Sequence, residues 1–228
     1  MNVETRSRLK QMIRKGQVSV NGTAAVKPET KVIPGRDTIE VQGQPVIYRE
    51  WEYYMLHKPA GVVSATEDSR ERTVLDLLPD IRRADLFPVG RLDKDTEGLL
   101  LITNDDTLAH MLLSPKRHVE KVYYAEIDGR VTEDDRLCFE KGLDIGDPTE
   151  TLPAKLEILS SGPSSRVRVT LTEGRYHQVK RMFEATGKQV TYLKRLSMGA
   201  LVLDEGLKKG ECRFLTADEI AAITQKKE

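Results

Sequence analysis

The sequence has few of the features that mark several common protein classes. Its two cysteines, Cys138 and Cys212, lie far apart with no Cys-x-x-Cys pair, which argues against a disulfide scaffold and a zinc site. No run approaches the roughly 18 apolar residues of a membrane-spanning helix, and the start lacks the apolar segment of a signal peptide. We therefore expect a cytoplasmic protein with no membrane partner.

The chain also lacks a P-loop, a Gly-x-Gly-x-x-Gly turn and a His/Cys ligand cluster, which are common motifs for binding nucleotides, dinucleotide cofactors and metal ions. What it has is the composition of a folded protein, with 228 residues of which 39% are hydrophobic. That length lies between one large domain and two. Disordered, collagen-like and coiled-coil classes are excluded.

The net charge of zero is a sum of unlike segments. Residues 1–36 carry a net charge of +6 and residues 175–195 carry +5, whereas residues 133–157 carry −5. Because phosphate binding depends on cation density within about 10 Å, the two basic segments are compatible with a nucleic-acid partner. We interpret the acidic segment as a solvated face.

The first 43 residues predict a basic helix followed by a small β structure. Apolar residues have helical spacing over residues 7–15, with Ser7 as the expected N-cap and Gly16 as the stop. Residues 18–20 alternate like a strand and meet Asn21-Gly22, a strong hairpin signal. A second turn at residues 34–37 leads into another alternating run.

This segment resembles the S4-type RNA-binding domain in RKGQVSVNG and VKPETKVIPGRDTIEV, over roughly residues 4–43. The resemblance implies that the helix lies on RNA through its basic residues, which are Arg6, Arg8, Lys10, Arg14 and Lys15. S4 domains usually begin with a further helix, for which the three residues before Glu4 leave no room, so we expect a truncated or degraded module. A basic helix that packs only on its own domain is the alternative.

The rest of the chain predicts a second, larger domain. We expect an S4-like module at residues 1–43, a linker at 44–51 and a catalytic domain at 52–228. There is no strict βαβ repeat, so an α+β domain with a mixed, largely antiparallel sheet fits best. Expected strands and helices alternate, with strand-like runs at 53–56, 122–127 and 167–171 and helical stretches at 108–113, 177–186 and 217–223.

The most distinctive stretch is residues 87–105, FPVGRLDKDTEGLLLITND. Asp93 and Asp95 lie in a short polar loop between two apolar segments, which presents a carboxylate rigidly. A calcium-binding EF-hand loop would need a glutamate where Asn104 stands. An aspartyl-phosphate loop would need its threonine one residue after Thr96. A carboxylate that merely forms a turn remains the plain alternative.

GRLDKDTEGLLLITND resembles the signature loop of RNA pseudouridine synthases, in the branch formed by the RsuA, RluB, RluE and RluF groups. Three further stretches resemble motifs of that branch in the same order, namely LHKPAGVVSAT (56–66), HVEKVYYAEIDG (118–129) and EGRYHQVKRMF (173–183). The resemblance implies a pseudouridine synthase fold. It also implies a reaction that breaks the N1–C1′ bond of uridine and rejoins C5 to C1′ with no metal or cofactor.

The resemblance assigns roles to four residues. Asp93 is the catalytic carboxylate, which attacks C1′, abstracts a ribose proton or adds to uracil C6, and the sequence leaves these routes open. Lys180 is the cation that stabilises its ionised form. Tyr123 stacks on the target base, with Tyr124 as the alternative, and Arg91 contacts phosphate or fills the gap left by the flipped nucleotide.

Further RNA contacts are expected from Lys58, Arg175, His177, Arg181, Lys194 and Arg195. The wording of EGRYHQVKRMF resembles the RsuA group, which implies one uridine of 16S rRNA as the substrate, in a partly assembled small subunit. We expect a monomeric enzyme. The alternatives are a 23S rRNA synthase of the same branch and a non-catalytic RNA-binding or ribosome-assembly protein.

Overall fold

The computed structural model describes residues 4–25, 27–46, 48–79 and 84–224. The chain forms two compact units, one made of Met1–Glu52 with Pro79–Leu86 and the other of Tyr53–Leu78 with Phe87–Glu228. Within the described ranges, no helix has the length and apolar character needed to cross a membrane.

The first unit is a basic helix followed by a four-stranded antiparallel sheet in the order β2-β1-β3-β4. Its elements are α1 (Arg6–Arg14), β1 (Val18–Val20), β2 (Thr23–Ala24), β3 (Ile39–Val41) and β4 (Gln44–Pro45). The predicted helix and hairpin are confirmed. The predicted N-cap is wrong, because the side chain of Thr5, not Ser7, accepts the hydrogen bond from the N–H of Arg8 (3.3 Å).

Two tight turns determine the pairing in this sheet. Asn21 and Gly22 both have positive φ (52° and 76°), which joins β1 to β2 as the sequence predicts. Gln42 and Gly43 repeat this conformation (52° and 76°) and turn β4 back onto β3. The segment expected as a linker at 44–51 therefore begins with a strand, and Ile47 within it lies outside the described residues.

The second unit is built on a nine-stranded sheet whose main path runs β13-β5-β7-β11-β8-β10-β9. Among the strands that the structure describes, only β7 and β11 pair in parallel, which confirms the expected mixed, largely antiparallel sheet. The strands are β5 (Tyr53–Lys58), β6 (Phe87–Pro88), β7 (Glu97–Thr103), β8 (Lys121–Asp128), β9 (Lys155–Ser160), β10 (Ser164–Leu171), β11 (Gln189–Met198), β12 (Leu201–Val202) and β13 (Cys212–Phe214). The helices are α2 (Asp106–Leu113), α3 (Glu133–Lys141), α4 (Gln178–Ala185) and α5 (Ala217–Thr224), with short 3₁₀ turns at Val74–Leu77 and Pro115–Arg117.

The core covers both faces of the central strands. Every residue of β5 and of β7 is buried. One apolar cluster joins these strands to α2, and a second joins β8 and β10 to α3 and α4 through Phe139 and Phe183. Because both faces of β7 are packed, the loop that leads into this strand is anchored at its C-terminal end.

A single glycine permits the parallel pairing of β7 and β11. Gly98 has φ +106°, and a Cβ atom there would lie 2.2 Å from the carbonyl oxygen of Arg195. Any other residue would push the two backbones apart. Gly98 thereby places Arg195 beside the start of β7.

The acidic segment at 133–157 is more than the solvated face that we expected. It contains α3, which Thr132 and Asp135 cap reciprocally. Asp135 is buried and also accepts a hydrogen bond from Lys188 Nζ (2.6 Å). Its carboxylate therefore joins α3 to the segment between α4 and β11.

Candidate active site

Asp93 lies in the short loop between β6 and β7, and its side chain is 28% exposed. The N–H of Thr96 donates to the carbonyl of Asp93 (3.1 Å), which closes the turn. On the other side, Ser64 Oγ accepts from the N–H of Leu92 (3.0 Å) and donates to its carbonyl (2.8 Å). The loop backbone is thus held at both ends, as expected for a rigidly presented carboxylate.

Lys58 binds the backbone of this loop from the interior of the protein. Its side chain is fully buried, and Nζ donates to the carbonyls of Pro59 (3.0 Å), Asp93 (2.9 Å), Lys94 (3.3 Å) and Thr96 (2.8 Å). The prediction that Lys58 contacts RNA is therefore wrong, because its ammonium group is occupied by the backbone of the loop.

The buried position of Lys58 disfavours its charged form. Burial lowers the pKa of Lys58 to about 8, although the carboxylates of Asp95 and Asp93 favour the charged form. The group is still mostly protonated at neutral pH. It therefore adds a positive charge beneath the loop as well as its hydrogen bonds.

Lys180, on α4, lies in front of the loop. Its ammonium donates to Asp93 Oδ2 (3.2 Å) and to Asp95 Oδ1 (2.6 Å). Burial alone would lower the pKa of Lys180, but its bonds to the two carboxylates raise it, and the same contact lowers the pKa of Asp95 against the opposing effect of burial. The structure thus brings Lys180 and Asp93 together as the sequence predicts.

His177 contacts the same carboxylate from the start of α4. Its Nε2 lies 3.5 Å from Asp93 Oδ1, and its backbone has the left-handed conformation (φ 49°, ψ 34°). The ring stacks on that of Tyr176, with centroids 3.8 Å apart and planes 16° apart. Tyr176 is 73% exposed and lines the cleft in front of Asp93. Tyr176 was not among the predicted site residues, and its place in the EGRYHQVKRMF motif was the only sequence signal for it.

Arg175 anchors the segment before α4 rather than presenting a free charge. Its guanidinium donates to Glu173 (3.0 Å), to Asp147 (3.4 Å) and to the carbonyls of Thr149 and Glu150 (2.6 Å each). These bonds tie residues 173–177 to the loop around residue 147. The predicted contact of Arg175 with RNA phosphate does not fit this engagement.

Arg181 is engaged in the same way. It donates to Asp147 Oδ1 (2.6 Å), to the carbonyl of Tyr176 (3.1 Å) and to the carbonyl of Ile145. The bond from Arg181 lowers the pKa of Asp147. Arg175 and Arg181 thus share an acidic partner, which the charge pattern of the sequence did not reveal.

Strand alternation decides which tyrosine faces the cleft. Tyr123 lines it, whereas the hydroxyl of Tyr124 donates to Glu126 (3.0 Å) on the other face of the sheet. On β11, Arg195 lines the cleft and is only 2% exposed. Lys194 alternates with it and faces away from the cleft, so it does not share one groove with the other basic residues as predicted.

Arg91 is exposed and lines the cleft at the start of the Asp93 loop. The cleft has a volume of about 650 Å³, within the usual range for a small-molecule pocket. Asp93, Tyr123, His177 and Arg195 all lie along it. Among the residues that the structure describes, no group of three His, Cys, Asp or Glu side chains is arranged to hold a metal ion.

Comparison with known proteins shows the family to which the chain belongs. Residues 52–185 match the family model for RNA pseudouridylate synthase. The chain is 47% identical to an uncharacterized RNA pseudouridine synthase, YtzG, of Bacillus subtilis, over 97% of this chain and 93% of the relative. It is 40% identical to ribosomal small subunit pseudouridine synthase A of Vibrio cholerae (96% and 94% covered) and 39% identical to ribosomal large subunit pseudouridine synthase B of B. subtilis (97% and 91% covered).

A solved pseudouridylate synthase has the same fold, with a TM-score of 0.72 and 37% identity over 96% of this chain and 94% of that chain. The match extends over nearly the whole length of both proteins and includes the loop that carries Asp93. The chain therefore belongs to the RNA pseudouridylate synthase family, in the group that includes relatives named small subunit synthase A and large subunit synthase B.

Proposed function

We propose that this enzyme converts one uridine of 16S rRNA to pseudouridine, with Asp93 as the catalytic carboxylate. The observation that carries the proposal is the placement of Asp93. It lies on a fixed loop, 3.2 Å from Lys180 Nζ, in the cleft that Tyr123 and Arg91 also line. The carboxylate is thus oriented by an ion pair with Lys180 on one side and faces the cleft on the other, which places it where a substrate nucleotide can reach it.

The other residues of the cleft have distinct roles in this proposal. Lys180 stabilises the charged form of Asp93. Tyr123 stacks on the target uracil, and its position on the cleft-facing side of β8 supports this choice over Tyr124. Arg91, which is exposed at the entrance to the loop, contacts the RNA backbone or fills the gap left by the flipped nucleotide.

A base within folded RNA must leave its stack to reach Asp93. Flipping costs a few kcal/mol, which contacts between the protein and the RNA must offset. We propose that exposed residues around the cleft, among them Arg91 and His177, supply part of this binding energy. We do not include Lys58, Arg175 and Arg181 in this role, because their cationic groups bond within the protein.

The first unit is proposed to act as an S4-like RNA-binding module. Arg6, Lys10 and Arg14 lie four residues apart on α1, are exposed, and make no ion pair among the described residues. Arg8 differs, since it pairs with Glu4 (3.1 Å). The unpaired stripe is suited to RNA phosphates, and we propose that the enzyme works as a monomer on ribosomal RNA in the cytoplasm.

The choice of 16S rRNA rests on the EGRYHQVKRMF wording and on the relatives named small subunit synthase A. The similarity to a large subunit synthase B makes 23S rRNA the second candidate. Release of tritium from C5-labelled 16S and 23S rRNA, each naked and in a partly assembled subunit, separates the two. We expect release from 16S rRNA, and release from 23S rRNA alone would contradict the assignment.

A further inference from the structure

The floor of the cleft carries two buried cations. Arg195 is 2% exposed and Lys121 is 8% exposed, and both line the cleft. Within the described ranges, the only hydrogen bonds of these cationic groups are to backbone carbonyls. Arg195 Nε donates to Leu99 (2.8 Å), and Lys121 Nζ donates to Val119 (3.0 Å). Arg195 Nη2 is buried and has no hydrogen-bond partner among the described residues.

Arg195 and Lys121 differ from the other cations in and around the core of the second unit. The half-buried Arg175, Arg181 and Lys188 each pair with a carboxylate. Lys58 is buried without a carboxylate partner, but its ammonium donates to four backbone carbonyls, whereas Arg195 and Lys121 each have one such acceptor. No acidic side chain in the described part of the chain pairs with Arg195 or Lys121. Burial and the charge of Arg195 lower the pKa of Lys121. A buried cation without a counter-charge is unfavourable, so this pair is arranged for negative charge that comes from outside the protein.

The strand register places both cations beside the tyrosine proposed to stack on the base. Arg195 on β11 is paired directly with Tyr123 on β8. Lys121 precedes Tyr123 by two residues and therefore lies on the same face of β8. The two cations thus flank the ring of Tyr123 at the floor of the cleft.

We propose that Arg195, assisted by Lys121, stabilises the negative charge that develops on uracil when its N1–C1′ bond breaks. When Asp93 attacks C1′ or abstracts a ribose proton, the electron pair of the N1–C1′ bond stays with uracil and spreads over N1, O2 and O4. When Asp93 adds to C6, negative charge develops on O4 during the addition and on N1 and O2 when the N1–C1′ bond breaks. C5 then forms the new bond to C1′, any bond from Asp93 to C1′ or C6 breaks to release the carboxylate, the C5 proton is lost to solvent, and N1 takes up a proton. Donors fixed in a buried site stabilise such charge without reorganisation.

This inference rests on the proposed roles of Asp93 and Tyr123. An RNA phosphate is the other source of negative charge that could lie against these cations. The position beside Tyr123, deep in the cleft, favours the base over the backbone. The two sources predict different results, because a phosphate contact contributes to binding and its salt dependence, whereas stabilisation of a departing base contributes to the rate of bond cleavage.

The test compares Arg195→Gln with the wild type on an rRNA transcript that contains either uridine or 5-fluorouridine at the target. Fluorine withdraws electrons and stabilises the departing base independently of the protein. Single-turnover cleavage of the N1–C1′ bond is followed by nuclease digestion and chromatography of the nucleosides. We expect Arg195→Gln to reduce the rate on uridine by about 100-fold, and to reduce the rate on 5-fluorouridine several-fold less.

Equal losses on the two RNAs would overturn the inference. So would an unchanged rate with weaker binding and a slope of log Kd against log salt reduced by about one, which marks a phosphate contact. If Arg195→Gln fails to fold, Lys121→Met is subjected to the same comparison, with the same expected difference between the two RNAs. Wild-type protein that converts neither RNA would contradict the proposed function, whereas equal losses in an active system contradict only the role of Arg195.

Discussion

At the scale of single residues, two lysines with different tasks surround Asp93. Lys180 contacts its carboxylate and balances its charge. Lys58 contacts only backbone carbonyls of the surrounding segments and determines where the carboxylate is held. Both come from segments distant in sequence, and motif resemblance predicted only Lys180 as a neighbour of the Asp93 carboxylate. Lysine is rarely buried, so the pattern HKPAG gave no sign that Lys58 is internal.

Replacing Lys58 with methionine should leave an intact fold with a misplaced loop. We expect kcat to fall by about 100-fold, because a small displacement of a catalytic group has an effect of that size. RNA affinity should change little, since Lys58 is not exposed. Steady-state kinetics and filter binding measure the two quantities, and a rise in KM with unchanged kcat would instead indicate an RNA contact.

Comparison of the wild type with Lys58→Met also tests how the free energy of unfolding depends on pH. Lys58 has a pKa of about 8 in the folded protein, against 10.5 for the unperturbed side chain. Between these values the unfolded chain binds the extra proton, so stability rises with pH. Below pH 8 Lys58 is charged in both states, so its burial lowers the free energy of unfolding by the full amount. By about pH 10.5 the side chain is largely neutral in both states, and this destabilisation disappears. Denaturant unfolding should show wild type gaining about 3 kcal/mol relative to Lys58→Met across that window, and parallel curves would refute it.

Tyr123 and Tyr124 provide a matched pair, adjacent on β8 but on opposite faces. Tyr123→Leu should reduce kcat/KM on rRNA by about 5-fold to 150-fold, because stacking of an aromatic ring on a base contributes about 1–3 kcal/mol. Tyr124→Leu removes one hydrogen bond to Glu126 and should leave kcat/KM within a few-fold. A larger loss from Tyr124→Leu would reverse the assignment.

At the scale of elements, helices, strands and turns could be predicted from local sequence signals. Ion pairs between residues distant in sequence could not. The Asn21-Gly22 hairpin, the strand run at residues 122–127 and the helical stretch at residues 177–186 follow from turn chemistry and periodicity, and all are present. Arg175 and Arg181 share Asp147 as an ion-pair partner, although it lies about 30 residues away in sequence. Composition showed a basic segment but not that its charges are paired.

Asp147 should therefore act at a distance on the cleft. Asp147→Ala removes the carboxylate that Arg175 and Arg181 share and loosens residues 173–177, which carry His177 and Tyr176. We expect kcat/KM on rRNA to fall by about 10-fold, together with a lower melting temperature. The control is Asp204→Ala, which breaks a comparable ion pair with Arg213 away from the cleft. It should lower the melting temperature without the loss of activity, and an equal loss from both variants would contradict a specific role for Asp147.

At the scale of the whole molecule, the net charge of zero conceals two kinds of basic surface. In the second unit the basic residues before and on α4 pair with carboxylates, so they stabilise structure. In the first unit the stripe on α1 is exposed and unpaired among the described residues. Counting charges along the sequence found both segments but could not distinguish them, because the acidic partners come from other parts of the chain.

Neutralising the stripe in the full-length enzyme tests its role. The triple variant Arg6→Gln, Lys10→Gln and Arg14→Gln should raise KM on rRNA with little change in kcat. It should also reduce the slope of log Kd against log salt by about one for each phosphate that the helix no longer binds. Lys27→Gln with Lys31→Gln, in the same unit and also exposed, is the control. Equal changes in the two variants would show that total charge, rather than the helix, determines binding.

The central claim is that Asp93 performs the chemistry and does not merely shape the loop. Its most direct test is pseudouridine formation by Asp93→Asn on rRNA, with RNA affinity measured alongside. Asparagine keeps the size of the side chain but removes the charge that Lys180 balances. We predict that pseudouridine formation is abolished while Kd for the RNA stays within a few-fold of wild type. Normal turnover by Asp93→Asn would contradict the account.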